Sequence, residues 1–354
     1  MPAWLAVLAL VLAALAMHWG SRRLAHPLRK LRDGWGFSPA AGGTLVGIAA
    51  ASPEILINCA GAARGVTNIG LGAMLGSNIY AMPLIVTVTY LAARTLTRAN
   101  GSEPAPTPGS PAHASATDAD SPEPGAPPPS PGRVPVVAET LSLQVLPYLA
   151  IIALVAVLTI PPRWRGVQPM DGWILAGAYL AYFVQAIARK RRARRPQPWR
   201  RREVLLAFGG VLAMGAGAFA AIRATESLAG ALGLSQGAAG LFLTAPVAAL
   251  PELFAAWKVG RAGQVTAAVT SVVGDNAVTL TLAFVPLAIV GTEIEDFGLY
   301  CVNLGVIAAV AGMYAVFMKA DGKEPGFGRL SVIALDSVLA AYLVGAIGWV
   351  VLRS

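Results

Sequence analysis

Residues 49–54 read Ala49-Ala50-Ala51-Ser52-Pro53-Glu54, and residues 247–252 read Val247-Ala248-Ala249-Leu250-Pro251-Glu252, the same small-residue run into a Pro-Glu pair displaced by 198 positions. The register holds outward in both directions without a gap. Ala40, Ala41 and Gly42 meet Ala238, Ala239 and Gly240; Gly65 meets Gly263, Gly76 meets Gly274, and Asn78 meets Asn276. Two Ala/Gly-rich helices match by chance at small residues, but hardly at Pro-Glu pairs and Gly-x-Asn triplets in one register. Residues 40–84 and 238–282 therefore read as an internal repeat.

The repeat lies in a chain whose solvent is mostly lipid. Of 354 residues, 56% are hydrophobic and 13% charged, outside the range of soluble domains. The apolar residues gather into blocks of roughly 20, the length of a helix that crosses the hydrocarbon core. Ten blocks are legible, near 2–19, 37–63, 68–93, 141–160, 170–188, 204–223, 237–258, 266–291, 296–318 and 328–351. Five fall to each half, and because five is odd the second copy enters the membrane upside down. The expected fold is an all-α membrane protein of ten transmembrane helices in two inverted five-helix repeats, which meet at a midplane binding site. Along the chain this puts helices 1–3 in 1–93, a disordered Pro-rich linker in 94–140, helices 4–5 in 141–188, a basic loop in 189–203 and the second repeat in 204–354.

Assigning loops to alternate sides places all but Arg64, Arg163, Arg165, Arg223 and Arg353 of the 27 basic residues on one side. By the positive-inside rule that side is cytoplasmic and both termini are outside, in what reads as a prokaryotic cytoplasmic membrane. The run Arg189, Lys190, Arg191, Arg192, Arg194, Arg195 with Arg200, Arg201 and Arg202 is expected to anchor this topology against anionic lipid headgroups. The net charge of +9 thus has a membrane explanation, and no aromatic spacing or nucleic-acid fold accompanies it. Cys59 and Cys301 fall in apolar helices without metal-ligand spacing, and His18, His26 and His113 are scattered, so neither a disulfide framework nor a resident cofactor is expected. The oligomeric state is not legible.

A carboxylate in the middle of a membrane helix is costly unless it faces the protein interior and binds something. Glu54 and Glu252 occupy equivalent positions, which makes them the central candidates. Pro53 and Pro251 precede them, and a proline within a helix leaves the carbonyl one turn earlier, near Ala49 and Val247, free to act as a cation ligand. Asp275, in Gly274-Asp275-Asn276, is the third acid in a helix interior and stands where the first half has Ser77. The candidate ion-binding set is Glu54, Glu252, Asp275, Ser77, Asn78, Asn276 and Thr279, with the three carboxylates as the metal ligands. Hard oxygens of this kind suit Ca²⁺, Na⁺ or protons, and the lack of nearby His and Cys argues against soft transition metals.

These stretches resemble the cation/calcium exchanger superfamily of sodium/calcium and calcium/proton antiporters, whose paired repeats read roughly G-T-S-x-P-E followed by G-N-x-x-G-S-N-x-x-[N/D]. The second motif is carried by Ala73-Met74-Leu75-Gly76-Ser77-Asn78-Ile79-Tyr80-Ala81 and by Ser271-Val272-Val273-Gly274-Asp275-Asn276-Ala277-Val278-Thr279. The segment from Gly209 to Glu252, with Gly230-Ala231-Leu232-Gly233-Leu234-Ser235, is similar to the family's lead-in to its second repeat. The resemblance implies the ten-helix fold, central ion ligation by Glu54 and Glu252, and an oxygen ligand from Ser77. The chain departs from the pattern where Ala50, Ala51, Ala248 and Ala249 replace Thr and Ser, Ala73 and Ser271 replace Asn, and Ala81 and Thr279 replace the final Asn/Asp. Asp275 lies one helical turn before Thr279 on the same face, so the third carboxylate is displaced along the pocket rather than lost.

The expected function is secondary antiport of cations, Ca²⁺ against Na⁺ or H⁺, by alternating access. A monovalent cation/proton exchanger, or a family member that no longer transports and acts as sensor or scaffold, are the alternatives raised by the missing hydroxyls. An aspartyl-protease dyad is disfavoured because Val272-Val273-Gly274-Asp275 lacks the Gly-x-Gly-Asp pattern, and no enzyme activity is expected.

Overall fold

The computed structural model describes residues 1–34, 47–100, 133–135, 144–188, 200–319 and 326–352. Its helices are α1 (Ala3–Gly34), α2 (Ser52–Arg64), α3 (Thr67–Asn100), α4 (Leu146–Thr159), α5 (Pro169–Ala188), α6 (Arg201–Leu232), α7 (Gln236–Ala239), α8 (Ala245–Arg261), α9 (Val265–Thr279), α10 (Phe284–Val290), α11 (Phe297–Lys319) and α12 (Arg329–Val351). A π-helical turn, Gly240–Thr244, joins α7 to α8 without a break. Seven spans among the described residues are long and apolar enough to cross a membrane: α1, α3, α6, α7–α8, α9–α10, α11 and α12. Of the remaining expected blocks, α4 is a shorter apolar helix, and the first part of the 37–63 block lies outside the described residues, as does the basic run 189–195.

Burial separates the helices by role. The apolar windows of α3 and of α9–α10 are 94% and 78% buried, against 33% for α1 and α6. The first two are the centre of the molecule, and the others expose Leu, Val and Phe side chains as lipid-facing helices do. In lipid the hydrophobic effect does not hold helices together, so close contact and interhelical hydrogen bonds must. α3 and α7–α8 run side by side on glycine. A β-carbon on Gly72 would fall on the Gly237 carbonyl, and one on Gly240 on the Ile69 carbonyl. Replacing Gly240 with Val is therefore expected to cost about 1–3 kcal/mol, read as a lowered thermal transition in detergent; an unchanged transition would show that the seam is looser than described. Polar pairs such as Thr225 with Thr244 (2.7 Å), Thr159 with Tyr300 (2.7 Å) and Tyr342 with Asn303 (2.7 Å) fasten other helix pairs.

α1 and α6 pack antiparallel along their whole length. Ser227 Oγ donates to the Met1 carbonyl (3.0 Å) at one end, Gly20 and Gly210 face one another further along, and Lys30 Nζ binds both carboxylate oxygens of Glu203 (2.7 Å each) at the other.

The structure corrects several boundaries. α1 continues to Gly34, so Arg22, Arg23, Arg29 and Lys30 lie on a helix and not in the expected loop. The 37–63 block is not one helix: residues 47–50 are helical, the chain bends at Ala51, and α2 begins at Ser52 with Pro53 in its first turn, where a missing N–H breaks no hydrogen bond. Pro251, its counterpart, sits inside an unbroken α8. The 266–291 block is interrupted between α9 and α10 at residues 280–283. Pro286 has no N–H to return to the Leu282 carbonyl, and 3₁₀-type bonds such as Phe284 N to Thr281 O (3.2 Å) replace the α pattern. Within the linker, expected to be disordered, Arg133–Pro135 forms a short strand that pairs antiparallel with Gly326–Gly328. The rest of it lies outside the described residues, apart from the end of α3.

Gly65 and Gly263, equivalent in the repeat, both take positive φ (70° and 80°) and turn α2 into α3 and α8 into α9. This left-handed turn is open to glycine at no steric cost, which accounts for its presence at both positions.

Candidate functional site

Two helix–turn–helix units, α2–α3 and α8–α9, carry every candidate residue. Glu54 lies in the first turn of α2, Ser77 and Asn78 in α3, Glu252 in α8, and Asp275, Asn276 and Thr279 at the end of α9. The units meet by close backbone approach at positions related by the same displacement of 198. A β-carbon on Gly47 would press on the backbone of Gly274 (2.9 Å) and Asp275 (3.2 Å), while Gly76 faces Ala245. These contacts bring Glu54, Glu252 and Asp275 into one interior.

The three carboxylates act on one another electrostatically, Asp275 on Glu54, and Asp275 and Glu54 both on Glu252. Glu252 and Asp275 also interact side chain to side chain. Glu54 is 1% exposed and Asp275 4%. Both oxygens of Glu54, both of Glu252 and Oδ1 of Asp275 are buried without a hydrogen-bond partner. Buried carboxylate oxygens are almost always paired, because desolvation without compensation costs several kcal/mol. Five unpartnered oxygens on three acids mark this interior as the candidate site. The acids do not close into a cage: among the described residues no three His, Cys, Asp or Glu side chains converge closely enough to hold a metal ion together.

The neutral residues are held by their own backbones. Ser77 Oγ donates to the Met74 carbonyl (3.0 Å), Thr279 Oγ1 to the Asp275 carbonyl (3.0 Å) and Asn78 Nδ2 to the Met74 carbonyl (2.8 Å). A hydroxyl that donates its hydrogen to the backbone keeps its lone pairs, so these contacts leave Ser77 and Thr279 able to accept a cation. Asn276 Nδ2 is buried and unpartnered. Ser52 Oγ donates to the Ile48 carbonyl at the bend before Glu54. Because α2 begins at Ser52, Pro53 costs no helical hydrogen bond, and the free Ala49 carbonyl expected of a proline inside a helix does not follow from its position.

Two residues not singled out in the sequence belong to this interior. Tyr148, fully buried on α4, donates its phenol to Asn78 Oδ1 (3.0 Å) and lies beside the Asn276 amide and the Asp275 carboxylate. It joins the two units. Asn58 on α2 donates to the Ala283 carbonyl (2.6 Å), satisfying the turn that separates α9 from α10. Tyr148 stands in an apolar block whose other polar residues near it are Ser142 and Gln144, a pattern that carries no ligand signal. Tyr148→Phe would leave Asn78 Oδ1 buried without a donor, an expected loss of about 1–3 kcal/mol. A thermal shift measures this, and no shift would remove Tyr148 from the structural account.

Seven candidate membrane spans among the described residues, an apolar window of α3 that is 94% buried, and three acids on paired Pro-Glu and Gly-x-Asn units set a narrow frame for comparison with known proteins. The sodium/calcium exchanger protein family matches residues 5–188 and 203–352. The chain belongs to that family. It is therefore an integral membrane transporter of the cation antiporter kind and not an enzyme. The fold is similar to solved structures of the sodium-calcium exchanger NCX_Mj. For the form soaked with 100 mM Na⁺ and 10 mM Sr²⁺ the TM-score is 0.62 at 18% identity, over 97% of this chain and 98% of that chain. For the form soaked with zero Na⁺ and Ca²⁺ the TM-score is 0.60 at 18% identity, over 96% and 98%. No curated protein is matched by sequence.

Proposed function

We propose that this member of the exchanger family moves Ca²⁺ against Na⁺ or H⁺ through one site made by Glu54, Glu252 and Asp275, with Ser77, Asn78, Asn276 and Thr279 around them. The observation that carries this reading is the set of five buried, unpartnered carboxylate oxygens. A divalent cation, or two monovalent ions or protons, neutralises most of the charge of the three acids. Both kinds of ion compete for the same oxygens, so loading one expels the other, and the competition couples the two gradients. A charged, unloaded cluster resists passage through an occluded state, which prevents uncoupled movement.

The architecture that serves this exchange is a pair of inverted five-helix repeats crossing the membrane ten times. The paired glycine turns at Gly65 and Gly263, and the paired approaches of Gly47 to Gly274 and of Gly76 to Ala245, support it. The site then lies near the midplane, with both termini outside and the basic segments against anionic headgroups. The bend at Ala51 and the unbroken α8 make the two halves unequal, a difference that rocking between outward and inward states would exchange. Loading draws the three acids together from the open arrangement seen here.

One observation favours a second reading. Ala49, Ala51, Ala248 and Ala249 are buried and line the approach to the Pro-Glu pairs with methyl groups where hydroxyls would serve a calcium ion. A site so stripped would take monovalent ions and protons alone. Proteoliposomes separate the two: opposed Na⁺ or pH gradients are expected to drive Ca²⁺ uptake. Exchange of Na⁺ or K⁺ for H⁺ with no Ca²⁺ movement would select the second reading, and no cation movement at all would reject both.

A further inference from the structure

Away from the carboxylates, the antiparallel α1–α6 pair opens at its charged end into a cavity of about 620 Å³. Trp19, Arg22, Arg23 and His26 of α1 line it, with Arg200 and Arg202 at the start of α6. The balance of charge is one-sided. The one carboxylate in the lining, Glu203, is taken by Lys30 through both oxygens (2.7 Å each) and lies 3.6 Å from His26 Nε2. Arg22, Arg200 and Arg202 have no ion pair among the described residues, and Arg23 stacks on the Trp19 ring at 5.4 Å. Backbone amides of the first turn of α6, a 32-residue helix, add their partial positive charge at the same point.

The position of this cavity along the helices narrows what it holds. It begins where the apolar part of α1 ends, and Trp19 marks the headgroup level, where aromatic side chains concentrate. Leu206 lines it, and along the same two helices Leu205 and Phe208 of α6 and Leu12 and Leu15 of α1, within two turns of Trp19, are exposed and apolar. A pocket for a soluble anion needs the arginines but not this apolar rail. We propose that the cavity binds the phosphate of an anionic phospholipid, with Arg22 and Arg202 from the two helices engaging the phosphate oxygens and the acyl chains lying along the seam. Such a lipid would bridge α1 and α6 at the end where Lys30 and Glu203 already join them.

The test uses the full-length protein, delipidated in detergent and examined by native mass spectrometry with phosphatidylglycerol, phosphatidylcholine or inorganic phosphate. Phosphatidylglycerol is expected to be retained with roughly tenfold preference or more over phosphatidylcholine. Arg22→Gln with Arg202→Gln should abolish the preference, and Arg22→Lys with Arg202→Lys should keep most of it. An unchanged thermal transition certifies that the variants are folded; if the double variant unfolds, each single change carries the comparison. Equal retention of both lipids, or a preference that survives the Gln variants, overturns the proposal. Displacement of phosphatidylglycerol by low-millimolar inorganic phosphate overturns the lipid assignment in favour of a soluble anion.

Discussion

Glu54→Gln, and separately Glu252→Gln, abolishes gradient-driven cation flux in proteoliposomes while the protein remains folded. The size of the effect follows from the surroundings. Both carboxylate oxygens of each side chain are buried and unpartnered, so each carries a large share of the charge that balances a bound cation. Removing one such charge from a desolvated ion cluster costs about 3–5 kcal/mol, a loss of at least a hundredfold in loading. Stability should move the other way. Gln keeps the volume of Glu and removes one of three repelling charges, so the thermal transition in the absence of cations is expected to stay or rise. This combination separates a ligand from a structural residue. Flux that survives either substitution, or a variant that loses flux only because it unfolds, contradicts the assignment.

Asp275→Asn should change what the exchanger is coupled to. Three neighbouring carboxylates hold protons in the empty site, and a divalent cation that takes their oxygens must displace them. Calcium binding by the native site is then expected to release protons and to strengthen as pH rises. With Asn at 275 two acids match one divalent cation, and the pH dependence of binding should flatten. Affinity falls as well, by an amount on the order of a hundredfold, because Asp275 acts on both glutamates and its loss weakens the field at the whole site. Calcium titrations across pH in both proteins measure slope and affinity together. An unchanged slope would place proton coupling elsewhere.

Much of this site is legible in the sequence because the chemistry is repeated. Pro53-Glu54 and Pro251-Glu252 share one register with Gly76 and Gly274, and an intramembrane acid is costly enough to mark itself. The apolar blocks likewise announce the helices, since length is set by the bilayer. Geometry within a block is harder to read. Pro53 and Pro251 look alike, yet one follows a bend at Ala51 and the other rides inside a continuous helix, because the neighbours and not the proline decide between kink and restart. The turn at residues 280–283 was hidden in the same way: Pro286 is visible, but the Asn58 amide that satisfies the broken backbone comes from α2, more than two hundred residues away. Tyr148 escaped because it is joined to Asn78 through space alone. The basic residues from Arg22 to Lys30 read as a loop because charge outweighs helix propensity in a hydropathy pattern, whereas pairing with α6 keeps them helical.

The central claim is that a single carboxylate cluster is shared by the exchanged ions. Equilibrium binding of Ca²⁺ to the purified protein, titrated against Na⁺ and against protons, tests it most directly. The account predicts that each competitor displaces Ca²⁺ completely, raising its apparent dissociation constant without lowering the number of sites that excess Ca²⁺ refills. Bound Ca²⁺ that is indifferent to both Na⁺ and pH would contradict it.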